Sequence, residues 1–262
     1  MSENLTYRIL GHDMQIVEID LEAGQTIIAE AGAMNYMDDG ITYESVLGDG
    51  SRASEDIVDQ LIGAGKRAIM GESLFLTHFT NVSDGRRTLA FAAPYPGTIV
   101  PLELGNLGGE FYCQKDAFLC AERGVRLDIA FTRNIGVGLF GGEGFILEHL
   151  TGRSQAFLHA GGTVVRKELT GGRLLVDTGC LVGFTSGISY DISAAGGLRS
   201  MLFGGEGAFL ARLSGTGIVY LQSLPFARLA RRVVAQLATR RPADEGSILG
   251  GLGNIIMGGW RR

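Results

Sequence analysis

The sequence predicts an all-β body of three tandem β-sandwich repeats around a pseudo-threefold axis, with one short inserted helix and a C-terminal helix. Three observations predict it. An eleven-residue block occurs three times without gaps, at Met70–Thr80, Gly141–Thr151 and Gly204–Ser214. A second block, Phe111–Ile129, lies over Leu174–Ile192 at an offset of 63, the same spacing that separates Glu143 from Glu206. Its first copy is Ile27–Ser45. Finally, the chain holds 41 glycines but only 5 prolines, a balance that suits many tight turns and bulges between short strands. Three units of roughly 65 residues, at about 7–95, 96–160 and 161–224, follow from these offsets. Closure of the three would protect strand edges.

Short apolar runs flanked by turn residues mark strands at Gln25–Ala29, Arg87–Ala92, Arg173–Asp177 and Gly217–Gln222. Many are apolar on both faces, as strands between two sheets are. Gly97–Leu104 and Gly162–Leu169 form a third matching block. No useful helical period occurs between residues 68 and 224. The first repeat is longer than the others because of an insertion at 47–67. Ser54 before Glu55 and Asp56 is a helix start, and Gly63 and Gly65 are stops, so a helix is expected over about Glu55–Ile62.

After Pro225 comes the best helical pattern in the chain. Phe226, Leu229, Ala230, Val233, Val234 and Leu237 recur at helical spacing, and Arg228, Arg231 and Arg232 fall off that stripe. A greasy, Gly-rich stretch follows to Trp260. Residues 225–262 carry seven arginines against Asp244 and Glu245, a net of +5. The whole chain stands at −5, so residues 1–224 stand at −10. Such a helix is expected either to dock on protein, its own acidic body or a neighbouring copy, or to anchor reversibly to an anionic membrane surface. The protein docking is the preferred expectation.

The three cysteines, Cys113, Cys120 and Cys180, lack metal spacing. With no secretory leader they read as reduced, small buried residues in a cytoplasmic protein. No run reaches the ~20 apolar residues that span a bilayer.

The recurring Phe-Gly-Gly-Glu-Gly at 140–144 and 203–207, the Ala29–Met34 segment and the Gly-rich C-terminus resemble the altered-inheritance-of-mitochondria protein 24-like family. The resemblance covers most of residues 7–225. It implies a TRAP-like fold, three tandem copies of a unit similar to the subunit of the tryptophan RNA-binding attenuator. Eukaryotic relatives look like mitochondrial inner-membrane factors, bacterial ones are largely uncharacterised, and no enzymatic activity carries over. RNA binding is not expected either, because the body is acidic and no Lys/Arg motif recurs in the three repeats.

One constellation is a candidate for ligand binding. Glu72, Glu143 and Glu206 are followed six residues later by His78, His149 and Arg212. Three carboxylates and two imidazoles gathered at an axis could hold a divalent metal. The structural reading is preferred. Six strand positions separate two α-carbons by roughly 20 Å, and Arg is a poor ligand. Each Glu follows glycine and can accept backbone hydrogen bonds at a turn. Glu44, Asp128 and Asp191 form a second matched acidic set with no evident chemistry. No phosphate loop, nucleophile elbow or dinucleotide fingerprint occurs. The expectation is therefore a non-enzymatic interaction or scaffolding protein. It is expected to be a homo-oligomer, with no cofactor or metal, and its C-terminal segment serves assembly or membrane association. The alternative is a small-ligand or metal-binding protein, an enzyme included, with a pocket between lobes.

Overall fold

The computed structural model describes residues 5–47, 75–133, 145–194 and 209–238. The expected inserted helix and the tail beyond 238 lie outside the described residues. The first third of the chain supplies β1 (Thr6–Leu10), β2 (Ile16–Leu21), β3 (Thr26–Glu30), β4 (Met34–Met37), β5 (Ile41–Leu47), β6 (Phe75–Asn81) and β7 (Arg87–Phe91). The middle supplies β8 (Gly97–Glu103), β9 (Glu110–Gln114), β10 (Phe118–Glu122), β11 (Arg126–Arg133), β12 (Phe145–Thr151) and β13 (Gln155–Gly161). The last third supplies β14 (Val164–Asp177), β15 (Leu181–Thr185), β16 (Ile188–Ala194), β17 (Phe209–Gln222) and the helix α1 (Phe226–Ala238). The protein is mostly β, as the sequence predicts. Residues Met1–Ala227 form one compact unit and Arg228–Arg262 a second.

All ladders between the named strands are antiparallel, and the same pairing order recurs in each third. In the first, β2–β7–β4 form one run and β3–β6–β5 another. In the second, the runs are β8–β13–β10 and β9–β12–β11. In the third, β14 and β17 are each long enough to serve both runs. Residues 164–170 pair with the C-terminal half of β17, which also pairs β15, and residues 173–177 pair with its N-terminal half, which also pairs β16. A register irregularity falls at Met34/Tyr36, Phe118/Cys120 and Leu181/Gly183, spaced as the sequence blocks are.

Two ladders join one third to the next in one register. Ala121 lies opposite Ile28 where β10 meets β3, and Phe184 opposite Tyr112 where β15 meets β9. These joints weld the second run of one third to the first run of the next. The result is a four-stranded sheet, β1-β2-β7-β4, a six-stranded sheet, β5-β6-β3-β10-β13-β8, and a seven-stranded sheet that carries the last third. Among the described residues no ladder joins β4 to residues 173–177.

Among the described residues, two apolar clusters fill the spaces between successive sheets, and a third, with Phe145, Phe184 and Leu213, lies between strands of the seven-stranded sheet. Ile27 and Ala29 belong to the cluster against the four-stranded sheet, and Ile28 belongs to the next one. Phe157 likewise faces one cluster, while Ala156 and Leu158 face the other. Strand side chains alternate faces, so a sheet covered on both sides needs apolar residues at every position. That is why β3 reads Thr-Ile-Ile-Ala and β13 is buried throughout. Cys113 and Cys120 are buried in these clusters as free thiols.

Candidate functional site

The repeat places His78 on β6, His149 on β12 and Arg212 on β17. The marker acids Glu72, Glu143 and Glu206 lie outside the described residues. The structure brings His78, His149 and Arg212 not to each other but each to an acid. His78 lies opposite Glu44, His149 opposite Asp128 and Arg212 opposite Asp191, on the neighbouring strands β5, β11 and β16. The two sets found separately in the sequence are thus cross-strand neighbours. Opposite charges in that position favour the ladder, by about 0.2–1 kcal/mol where both are charged. β5 and β11 are terminal strands of their sheets, and β16 pairs only β17 among the described residues. Charge on a terminal strand discourages pairing with stray chains. His149 also stacks on Tyr112, with centroids 4.4 Å apart. Among the described residues no group of three or more His, Cys, Asp or Glu is placed to hold a metal.

A second cluster was not singled out in the sequence. Glu30 at the end of β3, Lys115 and Asp116 in the short turn after β9, and Glu148 on β12 lie within one another's electrostatic reach, near Tyr95. Glu148 is 1% exposed, opposite Cys113, and its Oε2 has no hydrogen-bond partner. Burial pushes its carboxyl well above the ordinary range, and the nearby Glu30 raises it further. Burial thus favours the protonated form of this carboxyl. Desolvation pushes Glu30 up to about 7, with Asp116 adding to the lift and Lys115 opposing it. Glu30 keeps solvent contact along part of its length, which screens the effect. The repeat carries a signal for Glu148. Its equivalents are Thr77 and Ala211, both buried and neither acidic. A lone acid at a buried repeat position is the mark of a site that differs from the others.

Tyr95 joins this cluster to the end of the body. Its hydroxyl donates to the Asp116 carbonyl at 3.4 Å, and its ring meets His159 edge-on at 4.5 Å and Phe226 at 5.1 Å. His159 is buried with Nδ1 unpartnered. Desolvation lowers its pKa to about 4, against an opposing hydrogen bond with the Tyr95 backbone. Gly97 makes room for that ring, because a Cβ there would stand 2.5 Å from His159 Nε2 and 2.2 Å from the Ala160 carbonyl oxygen. Tyr95, Gln114, Asp116, Gly179, Gln222 and Phe226 line a small cleft. Its volume of about 20 Å³ has room for one water, far below the several hundred Å³ of a metabolite site.

A family model described as mitochondrial biogenesis AIM24 matches residues 7–224, the whole three-part body. The chain belongs to the AIM24 family. A relative of this AIM24 chain, the uncharacterised protein M6_Spy0233 of Streptococcus pyogenes serotype M6, is 32% identical over 227 residues, covering 86% of this chain and 87% of its own. A crystal structure of protein SPYM3_0169 from Streptococcus pyogenes is similar with a TM-score of 0.70 at 26% identity, covering 89% of this chain and all of the other. Neither description names an activity, so the chemistry of this AIM24 chain rests on its own residues.

Glu148 gives a prediction with a definite sign. A carboxyl whose pKa is higher folded than unfolded favours the native state below its ordinary pKa. That contribution is lost as pH rises toward the folded value. His159 works in the opposite sense, gaining stability up to about pH 6.5, and is neutral in both states above that. Melting temperature is therefore expected to fall as pH rises above about 6.5. Glu148→Gln should flatten that fall and be about 1–3 kcal/mol more stable than the parent at the alkaline end. Thermal melts across that range check it. A variant that loses stability equally at every pH would refute the raised carboxyl at Glu148.

Proposed function

We propose that this AIM24-family chain is an interaction and scaffolding protein, a homo-oligomeric β body that carries a basic amphipathic helix to an anionic membrane surface. The observation that supports the reading most is the character of α1. Phe226, Val233 and Val234 are exposed, although such a stripe in a globular protein normally faces a core. At 100° per residue, Arg228, Arg231 and Arg232 centre on the side opposite that stripe. Apolar and cationic faces on opposite sides suit a helix lying in a headgroup layer. The 13-residue α1 does not span, and no helix among the described residues is long and apolar enough to cross a membrane.

Sedimentation of the full chain with vesicles tests this. Vesicles of phosphatidylcholine doped with phosphatidylserine should carry the protein down, and pure phosphatidylcholine should carry much less. Arg231→Glu with Arg232→Glu should weaken binding by roughly tenfold or more, since each cation near the surface contributes about 1 kcal/mol. Val233→Asp with Val234→Asp should weaken it comparably. A parent protein that stays in the supernatant with anionic vesicles would remove the membrane from the proposal.

A further inference from the structure

We propose that Glu148 and Glu30 form a pH-operated latch across the layer between the six-stranded and seven-stranded sheets, which loosens as pH rises and lays Cys113 open to thiol reagents. Side-chain alternation puts both acids at that layer. Leu150, two residues on from Glu148 along β12, and Cys113, opposite Glu148 on β9, belong to the apolar cluster that fills it. Ile28, two residues before Glu30 on β3, and Leu76, opposite Glu30 on β6, belong to the same cluster. β12 is a strand of the seven-stranded sheet and β3 of the six-stranded one, so the acids reach the layer from opposite walls. Glu148 is buried inside it, with Oε2 unpartnered, and Glu30 stands at its solvent rim.

Little around the two acids balances their charge. Lys115 and Asp116, in the turn after β9, bear on both, Lys115 holding each down and Asp116 pushing each up. Glu30 and Asp116 also bear on Tyr95. The strands beside Glu148 oppose it with Cys113 and Ile129, and β6 opposes Glu30 with Leu76, so these ladder neighbours supply no countercharge. His149, next along β12, stacks on Tyr112 and faces the other side of the strand. The repeat shows that the fold does not require the pair. At the next joint the equivalents of Glu30 and Glu148 are Gln114 and Ala211, neither of them ionisable.

The sign of the device follows from burial. A carboxyl that is desolvated in the closed layer and hydrated in an opened one ionises more readily when open. Rising pH therefore draws the layer open. Opening releases a proton from Glu148, so the open fraction grows about tenfold per pH unit between the hydrated and the buried pKa. Glu30 ionises at about 7, and from there a carboxylate at the rim opposes ionisation of the acid inside a closed layer. Cys113 reports the opening. Burial, with Glu148 adding to it, pushes its thiol up, so it is inert while the layer is closed. Cys120 is equally buried but lies in the other layer, against the four-stranded sheet. The two thiols therefore separate local opening from unfolding of the whole body.

Iodoacetamide labelling of the full chain from about pH 7 upward, read at each cysteine by peptide mass spectrometry, tests the latch. Taking the ratio of Cys113 to Cys120 labelling cancels the reagent's own pH dependence. That ratio should climb with pH, by up to about tenfold per unit. Glu148→Gln should hold it flat. Glu30→Gln, a change at the rim, should lower the climb at the alkaline end, because the inner acid is then raised less. Cys113 and Cys120 labelling that rise together would mean global unfolding and would overturn the latch. A ratio that stays flat in the parent protein, or climbs as steeply in Glu148→Gln, would overturn it too. A climb untouched by Glu30→Gln would overturn the pairing of the two acids.

Discussion

Phe157→Ala is expected to remove about 4 kcal/mol of stability and lower the melting temperature by roughly 10 °C. Phe157 has no exposure, and its ring meets that of Tyr7 edge-on at 4.8 Å. It sits on β13 in the second third, but it belongs to the cluster built mainly by the first. The ring therefore bridges two thirds of the chain. Truncation would forfeit its transfer energy and leave a cavity walled by two sheets, which strand ladders hold apart and prevent from collapsing. A domain whose total stability is about 5–15 kcal/mol would lose a large share. Calorimetry checks the value. A loss below about 1 kcal/mol would mean that the cluster is not packed as described.

Gly183→Ala is expected to cost about 3 kcal/mol, although it adds one methyl group. The added Cβ would stand 2.4 Å from Cε1 of Phe111 and 2.5 Å from the Tyr112 carbonyl oxygen. Phe111 is fully buried, and the carbonyl belongs to the strand that β15 pairs with. Neither can yield without opening the joint between the second and third parts. The equivalent position in the second third is Cys120, so the requirement for glycine is local and arises from the large ring at 111. Urea unfolding should show a lower midpoint with an unchanged slope if the joint merely weakens. A lower slope, or two transitions, would show that the last third detaches on its own.

Much of the fold was legible because repetition is visible without knowing any contact. The offset of 63 between Phe111 and Leu174 reappears as β9 and the second half of β14, and the both-sides-apolar runs reappear as strands between sheets. Other features depend on register, which composition does not carry. Glu44 and His78 were each noticed, yet their adjacency follows from how β5 and β6 align across a connection of more than twenty residues. Glu148 was missed because Phe-Ile-Leu-Glu-His-Leu-Thr reads as an ordinary strand, and only comparison with Thr77 and Ala211 marks the acid as out of place.

Hydrogen–deuterium exchange on the full-length protein tests the central claim, that strand ladders join the three parts of the body, most directly. The account predicts that the amides of Ala121 and Phe184, in the β10–β3 and β15–β9 joints, are protected as strongly as amides paired within a single part. Rapid exchange at both would contradict the account, because the parts would then not be held together by ladders.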